Sequence, residues 1–380
     1  MAHDHHIFVF DPICYTGGSK FATREVLNLI DRQQHRLTIL TSDPQSWQMK
    51  QANIISLPYP SWLPISDVGN GYWLRQFYFC WWILYIRCLH GSINVAVGAS
   101  CPGNDMPLYL LKWLLRYKVA QFIHGNISIS RSCGLCLYQA DNVFYLHSAY
   151  ASIIAVIQHR WRKRKPKIRD QKCQQLLSSG HFLPFINGIA KERAPSLCQY
   201  HTPTLFWAAS LLKWKGLDLL LEVIRKTAVN QRIPTNICYL VPQNTTLPIT
   251  LAPQPIESIT WYQQPLSIDS IRASSNIFIS TSDKEPFGLS ILEALFAGMC
   301  IIIPKDGAFW DTQLTHKKNC LKYISNDRKS LQQQIDYISN NPQQLSILGT
   351  EAAILAQNYQ AEQCYAVIIA TLCQPNSTSV

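Results

Sequence analysis

The sequence predicts an α/β protein built from two doubly wound parallel-sheet domains, and three observations predict it. Short β-branched and aromatic runs alternate with helical patterns, as parallel sheets with crossover helices require. The alternation breaks once, around 190–203, and then restarts. The chain has 380 residues, more than one core usually supports, since about 150 residues per domain gives two or three. Two such halves facing each other would place a ligand at the carboxyl ends of both sheets, in the cleft between them.

The strands of the first half are read at Ile7–Phe10, Leu37–Leu40, Asn53–Ser56, Asn94–Val97, Val119–Ile123 and Asn142–Leu146. Between the first two, Gly17, Gly18 and Ser19 lead into Phe21, Val26, Leu27, Leu29 and Ile30, an apolar set that fits one helix. Residues 191–203 carry prolines and polar residues without apolar period and are read as a linker, after a first domain over 1–190. A second domain over 204–355 opens with a strand at Leu205–Ala209. There Leu217, Leu220, Leu221 and Ile224 share one helix face, on a helix beginning near Lys215 and Gly216. Further strands are expected at Ile237–Val241, Ile259–Tyr262, Asn276–Ile279 and Cys300–Ile303. Residues from Gln343 to Cys373 read as helical, with 356–380 expected to pack back on the first domain and Pro375–Val380 to fray.

Hydrophobic residues make up 47% of the chain and charged residues only 15%, which excludes a disordered chain and a coiled coil. The net charge of +11 favours anionic partners such as phosphates, acidic lipids or nucleic acid. Thirteen scattered cysteines and an N-terminus without a signal-peptide pattern point to a reducing cytosol. The longest apolar run, Phe77–Ile86, falls short of the roughly 18 residues a membrane span needs.

The segment Ser282–Gly298 is the most informative. It combines a strand end, a turn containing Gly288, and a helix that carries Glu293 about one turn in and is closed by Gly298. A helix start of this kind presents free N–H groups and a positive dipole end to a phosphate, and Glu293 is placed to accept hydrogen bonds from a diol. Glu285, on the preceding loop, would reach another part of the same ligand. Taken alone, both carboxylates read better as solvated surface charge.

This segment resembles the donor-binding motif of retaining nucleotide-sugar glycosyltransferases of family 4, which have the GT-B fold of two Rossmann-like domains. The match lies in Glu285 and Glu293 at their spacing, in Pro286-Phe287-Gly288-Leu289, and in Glu293-Ala294. Gly17-Gly18, His124-Gly125, Asn187-Gly188-Ile189 and Lys215-Gly216 follow the family's order over most of the chain. The resemblance implies that Glu293 binds the donor ribose and Lys215 the diphosphate. It implies that Glu285, with the backbone of Phe287, Gly288 and Leu289, meets the transferred sugar and phosphates. His124 would line the reaction centre, and Gly17 and Gly18 would form an acceptor or phosphate loop. Ser210 stands where the family has an arginine, leaving Lys213 as a substitute charge; an ammonium lacks the bidentate fork of a guanidinium. Pro242-Gln243-Asn244 replaces an expected glycine-rich turn, and the acidic residue expected after Ile303 is matched by Asp311, four past Gly307. The resemblance implies a nucleotide diphosphate sugar as donor substrate and no required cofactor, and since no Asp-x-Asp pair occurs, no metal is expected.

The implied reaction is transfer of a hexose, with retention, to a hydroxyl of a glycan or lipid-linked glycan. The alternative is a catalytically weak partner subunit or sugar-nucleotide binding protein, motivated by Ser210. Arg160, Arg162, Lys163, Arg164, Lys165, Lys167 and Arg169 follow an apolar stretch and fit either docking on an anionic membrane surface or a solvated loop. A nucleic-acid partner is not expected, because no RNA or DNA module is present. The expected location is the cytoplasm, with peripheral attachment at the inner membrane face as one option. Cys133-Gly-Leu-Cys136 has redox or half-zinc spacing but reads better as two ordinary thiols. His3, His5 and His6 would bind metal only adventitiously. The aromatic cluster from Tyr72 to Trp82 is most simply a buried helix, with contact to a lipid-linked acceptor as a second use.

Overall fold

A computed structural model describes residues 5–242, 245 and 247–374. The readings of His3, of the turn at Gln243 and Asn244, and of 375–380 lie outside the described residues. The chain divides into two compact units, one comprising the residues up to Gly188 with those from Cys364 onward, the other Ile189–Gln363.

The first unit holds a seven-stranded parallel sheet of β1 (His5–Asp11), β2 (His35–Thr41), β3 (Asn53–Ser56), β4 (Val95–Gly98), β5 (Lys118–Ile123), β6 (Asn142–Leu146) and β7 (Phe182–Phe185). Its order is β3-β2-β1-β4-β5-β6-β7, so the direction of winding reverses between β1 and β4. Ile7, Phe8, Val9 and Phe10 are all buried, because helices cover both faces of a parallel sheet, and this is why its strands read as unbroken apolar runs. The helices are α1 (Gly18–Asn28), α2 (Gly69–His90), α3 (Met106–Leu115), α4 (Arg131–Gln139), α5 (Tyr150–Arg160) and α6 (Pro166–Leu177). Successive members of the α2–α6 series pack side by side.

The second unit holds a six-stranded parallel sheet in the order β10-β9-β8-β11-β12-β13. Its strands are β8 (Leu205–Ser210), β9 (Thr235–Leu240), β10 (Ile259–Gln263), β11 (Ile277–Ile279), β12 (Cys300–Lys305) and β13 (Leu321–Ile324). The helices are α7 (Leu217–Lys226), α8 (Ile268–Ala273), α9 (Leu289–Phe296), α10 (Phe309–Gln313), α11 (Arg328–Asn340), α12 (Gln343–Ala356) and α13 (Ala361–Cys364), and α14 (Ala366–Cys373) packs against α1 in the first unit. The apolar face read on α7 is buried together with Trp207, Ile237 and Ile302. Residues 191–203, expected as a linker, lie inside this unit: Cys198 N–H donates to the Ala297 carbonyl and Tyr200 O–H to the Gly298 carbonyl. In the first unit the Gly188 N–H donates to the hydroxyl of Tyr365, tying the end of β7 to the C-terminal helix.

One expectation is corrected. The aromatic cluster of α2 is not buried all round, since Tyr72, Phe79 and Ile83 face the core while Trp73, Phe77 and Trp81 face outward. The basic stretch runs through the joint between α5 and α6, with Arg162–Lys165 exposed at the turn.

Candidate functional site

In the second unit the loop after β8 and the loop after β11 meet. Lys213–Lys215 form a short 3-10 turn, Gly216 takes φ +71°, and α7 follows. A Cβ on Gly216 would lie 2.1 Å from the Thr281 carbonyl oxygen, so only glycine lets the loops touch here. The contact is fixed by Thr281 Oγ1, which donates to the Lys215 carbonyl at 2.8 Å and accepts from Trp207 Nε1 at 2.9 Å. The Asp283 N–H donates to the Trp214 carbonyl at 2.9 Å.

This joint brings together two predicted residues that are 70 positions apart. Lys215 Nζ donates to Glu285 Oε2 at 2.5 Å, with both side chains largely buried. The ammonium also lies 4.1 Å from the centre of the Trp214 ring, a cation–π contact. Gly288 has φ +79°, and a Cβ there would come within 2.9 Å of the Glu285 Cγ; glycine thus lets the carboxylate tuck against the start of α9. No side chain caps that helix start, so its first N–H groups and dipole are open to an anion. Leu289 begins α9, and Phe287 is buried against Phe309 and Trp310, whose indole N–H donates to the Gly288 carbonyl.

Glu293 projects from the second turn of α9, where its Oε2 accepts from Arg272 at 2.5 Å. Arg272 is almost fully buried, also pairs with Asp269 and lies over Phe206. Nothing in the sequence pattern joins Arg272 to Glu293, since they sit on different helices.

Other predicted residues are placed differently. Lys213 points to Asp218 at 2.7 Å, with both side chains about half exposed, so its charge is already matched away from Lys215. Ser210 ends β8. Asp311 is committed to structure: it accepts from the Gly307 N–H at 2.8 Å and pairs with Lys322 at 2.8 Å. Burial pushes its carboxyl up, but Lys322 and the Gly307 N–H outweigh that and hold it below the usual range. Asp306, absent from the sequence reading, accepts from the N–H groups of Lys284 and Ala308 and so anchors the loop that carries Glu285.

In the first unit Gly18 opens α1 and Gly17 caps it with φ −160°, an extended geometry any residue adopts, and the nearest atom to a Cβ on Gly17 is 3.9 Å away. Gly17 is therefore not required by sterics within the chain itself. Behind that helix start lies a buried polar network missed in the sequence. Lys20 Nζ pairs with Asp11 at 3.0 Å and Asp43 at 3.1 Å, and donates to the Ile13 carbonyl at 2.6 Å. Asp11 also accepts from Thr41 Oγ1, Trp47 Nε1 and Ser100 Oγ. The network spans the ends of β1, β2 and β4, where the winding reverses. A carboxylate ending a strand just before a glycine pair was the available signal.

His124, after β5, accepts or donates at Nε2 with Thr23 Oγ1 at 2.8 Å and stacks on Phe122. Burial lowers its pKa to about 4, and that of His6 likewise to about 4. Their ordinary value is 6.5. Protonation therefore favours the unfolded chain: this stability is fully present above the ordinary value and is withdrawn as pH falls toward the lowered one. His124→Gln is expected to flatten part of the loss of thermal stability across that window. Melts over a pH series test it, and a slope identical to wild type would mean that the folded imidazole titrates normally.

Cys133 and Cys136 are free thiols buried on α4. Among the described residues no cluster of His, Cys, Asp or Glu is suited to a metal ion, and no helix is long and apolar enough to cross a membrane.

Residues 189–354 match the family described as Glycosyl transferases group 1. No curated protein sequence matches the chain. Among solved structures, HepE of Anabaena, solved with UDP, with UDP and glucose and with UDP-glucose, is 13% identical at a TM-score of 0.68, with 97% of this chain and 99% of that one covered. Sucrose-phosphate synthase from Thermosynechococcus elongatus is 12% identical at a TM-score of 0.69, covering 97% and 98%. A glycosyltransferase from Rickettsia africae is 15% identical at a TM-score of 0.67, covering 99% and 100%. These likenesses show the fold: two Rossmann-like units in the GT-B manner. With the family match, they support sugar transfer.

Proposed function

We propose that this GT-B chain is a retaining glycosyltransferase that moves a hexose from a nucleotide diphosphate sugar to a hydroxyl of a glycan or lipid-linked glycan. The observation that carries the reading is the meeting of Lys215 and Glu285 beside the uncapped start of α9. Departure of a nucleoside diphosphate builds negative charge on the leaving phosphate, and a preorganised ammonium with a helix N-terminus stabilises it. Glu285 holds Lys215 in place and faces the sugar, with the backbone of Phe287 to Leu289 completing the cradle. Glu293 accepts from the ribose hydroxyls, oriented by Arg272. His124, neutral at working pH, lines the acceptor side, and the leaving phosphate helps take the acceptor's proton. The UDP complexes of HepE support a nucleotide-sugar donor.

Glu293→Ala is expected to weaken donor binding about 10–100-fold, the worth of one or two hydrogen bonds to a charged group. Titration calorimetry with the donor checks it; unchanged affinity would remove Glu293 from the nucleotide site.

A second reading, a catalytically weak partner or sugar-nucleotide binding protein, is favoured by one observation. Ser210 stands in the arginine position, and the charge that could replace it, Lys213, is paired with Asp218. Release of nucleoside diphosphate across a panel of donors and acceptors separates the two: turnover establishes the enzyme, and donor binding without turnover establishes the alternative.

A further inference from the structure

The α2 helix is apolar on two faces. One face, with Phe79, Ile83 and Ile86, packs into the core. On the other, Trp73, Phe77, Trp81, Tyr85 and Leu89 follow one another at every fourth residue, and Trp73, Phe77 and Trp81 are 41%, 62% and 57% exposed. They span about 24 Å along the helix at 1.5 Å per residue. Trp81 and Tyr85 are stacked, with ring centres 5.8 Å apart. The neighbouring α3 adds Trp113, 76% exposed, and Leu114. Scattered surface apolar residues are ordinary, but a continuous aromatic face of this length on a folded unit marks a contact surface.

Charge identifies what covers it. From Val68 to Arg169 the chain carries thirteen Lys and Arg and only two carboxylates, Asp105 and Asp141, so this stretch alone accounts for the whole net charge of +11. Asp105 is fully buried and Asp141 is paired with Lys112. At the edge of the face, the exposed Asp67 is paired with Arg75. The same helical layer continues to the α5–α6 joint, where Arg162, Lys163, Arg164 and Lys165 are exposed. Trp and Tyr rings on one element with a concentration of cations along the same helical layer fit the headgroup level of an anionic bilayer, which receives amphipathic rings and attracts Lys and Arg together. A second copy of the chain would bring the same positive layer against itself.

We infer that the α2–α3 face seats in the headgroup and outer acyl region of an anionic membrane, with the aromatic stripe inserting and the α5–α6 cations holding the surface. The inference rests on this surface alone and not on the donor-site reading.

Flotation of the full chain with phosphatidylglycerol–phosphatidylcholine vesicles, against phosphatidylcholine alone, over a salt series tests it. Wild type should bind the anionic vesicles and bind the neutral ones poorly. Binding should weaken as salt passes about 0.1 M, where the screening length is about 10 Å. The triple variant Trp73→Ser, Phe77→Ser, Trp81→Ser should lose of order a hundredfold in partitioning at every salt concentration while keeping the salt dependence. Replacing Arg162, Lys163, Arg164 and Lys165 by Gln should lose at least as much at low salt and flatten the dependence. Circular dichroism verifies folding, and the single variants Phe77→Ser and Trp113→Ser, each several-fold weaker, serve if the triple variant misfolds. Transfer to a short soluble acceptor should be unchanged in all of them, which separates this test from that of the enzyme reading. Wild type left unbound by anionic vesicles at low salt would overturn the inference, as would aromatic variants that bind like wild type. It would also be overturned by a wild-type dimer in light scattering that these variants dissolve.

Discussion

Lys215→Ala is expected to lower donor-dependent kcat/KM about 10²–10³-fold, the usual cost of removing one preorganised group that stabilises transition-state charge, whereas Lys213→Ala should cost less than about threefold. The difference follows from their partners. Lys215 is largely buried, lies over Trp214 and meets Glu285 at the start of α9, so its charge acts with little solvent between it and a bound phosphate. Lys213 is half exposed and already paired with Asp218. Glu285→Gln should fall mainly on turnover, because it removes the partner that aims the ammonium and leaves the nucleotide contacts of Glu293 in place. The double variant Lys215→Ala with Glu285→Gln should be little worse than Lys215→Ala alone, since residues in one ion pair act as a unit. Steady-state kinetics with a fixed donor decides the ranking. If Lys213→Ala were the more damaging, the loop would have rearranged around Ser210 to present the other lysine.

How much of this was legible in the sequence follows from burial. The central strands of both sheets announce themselves because a parallel strand covered on both faces must be apolar throughout, as Ile7–Phe10 and Cys300–Ile303 are. Of the four edge strands, β3 and β10 are read from their apolar runs but β7 and β13 are not. β7 contains Pro184, which an edge tolerates but which interrupts a strand pattern, and β13 is four residues long with a lysine in it. Apolar content showed that α2 is a helix but not which faces are covered, since a helix apolar all round reads like a buried one. At the site, Glu285, Glu293, Lys215 and Gly288 could be chosen from local pattern and family resemblance. Their partners could not, because Arg272 reaches Glu293 from another helix and Asp306 braces the Lys284 N–H from the loop that follows β12. Asp311 was chosen by its place after Ile303, and only the fold shows its carboxylate spent on Gly307 and Lys322.

Gly216→Ala should be the most disruptive single substitution near the site. Two costs add: an alanine must hold φ +71°, where its Cβ crowds its own backbone, and that Cβ must move from 2.1 Å to van der Waals distance of the Thr281 carbonyl oxygen. The opposing atom is backbone, in a loop pinned by Trp207 Nε1 and by the Lys215 carbonyl through the Thr281 hydroxyl, so a rotamer change cannot relieve the overlap. Strain of about 1–3 kcal/mol from the dihedral and about 1–3 kcal/mol from overpacking together shift the melting midpoint of a unit of this size by about 5–20 °C. The two loops should part before the unit unfolds, because the contact they make is local while the core of Trp207, Leu221 and Ile302 lies beneath it. Parting would separate Lys215 from Glu285, so the surviving folded protein should lose turnover to the same degree as Lys215→Ala. Calorimetry together with kinetics at a temperature below the new midpoint measures both effects. A variant that melts and turns over like wild type would mean that the loops do not meet at Gly216, and the pairing on which the donor site depends would go with them.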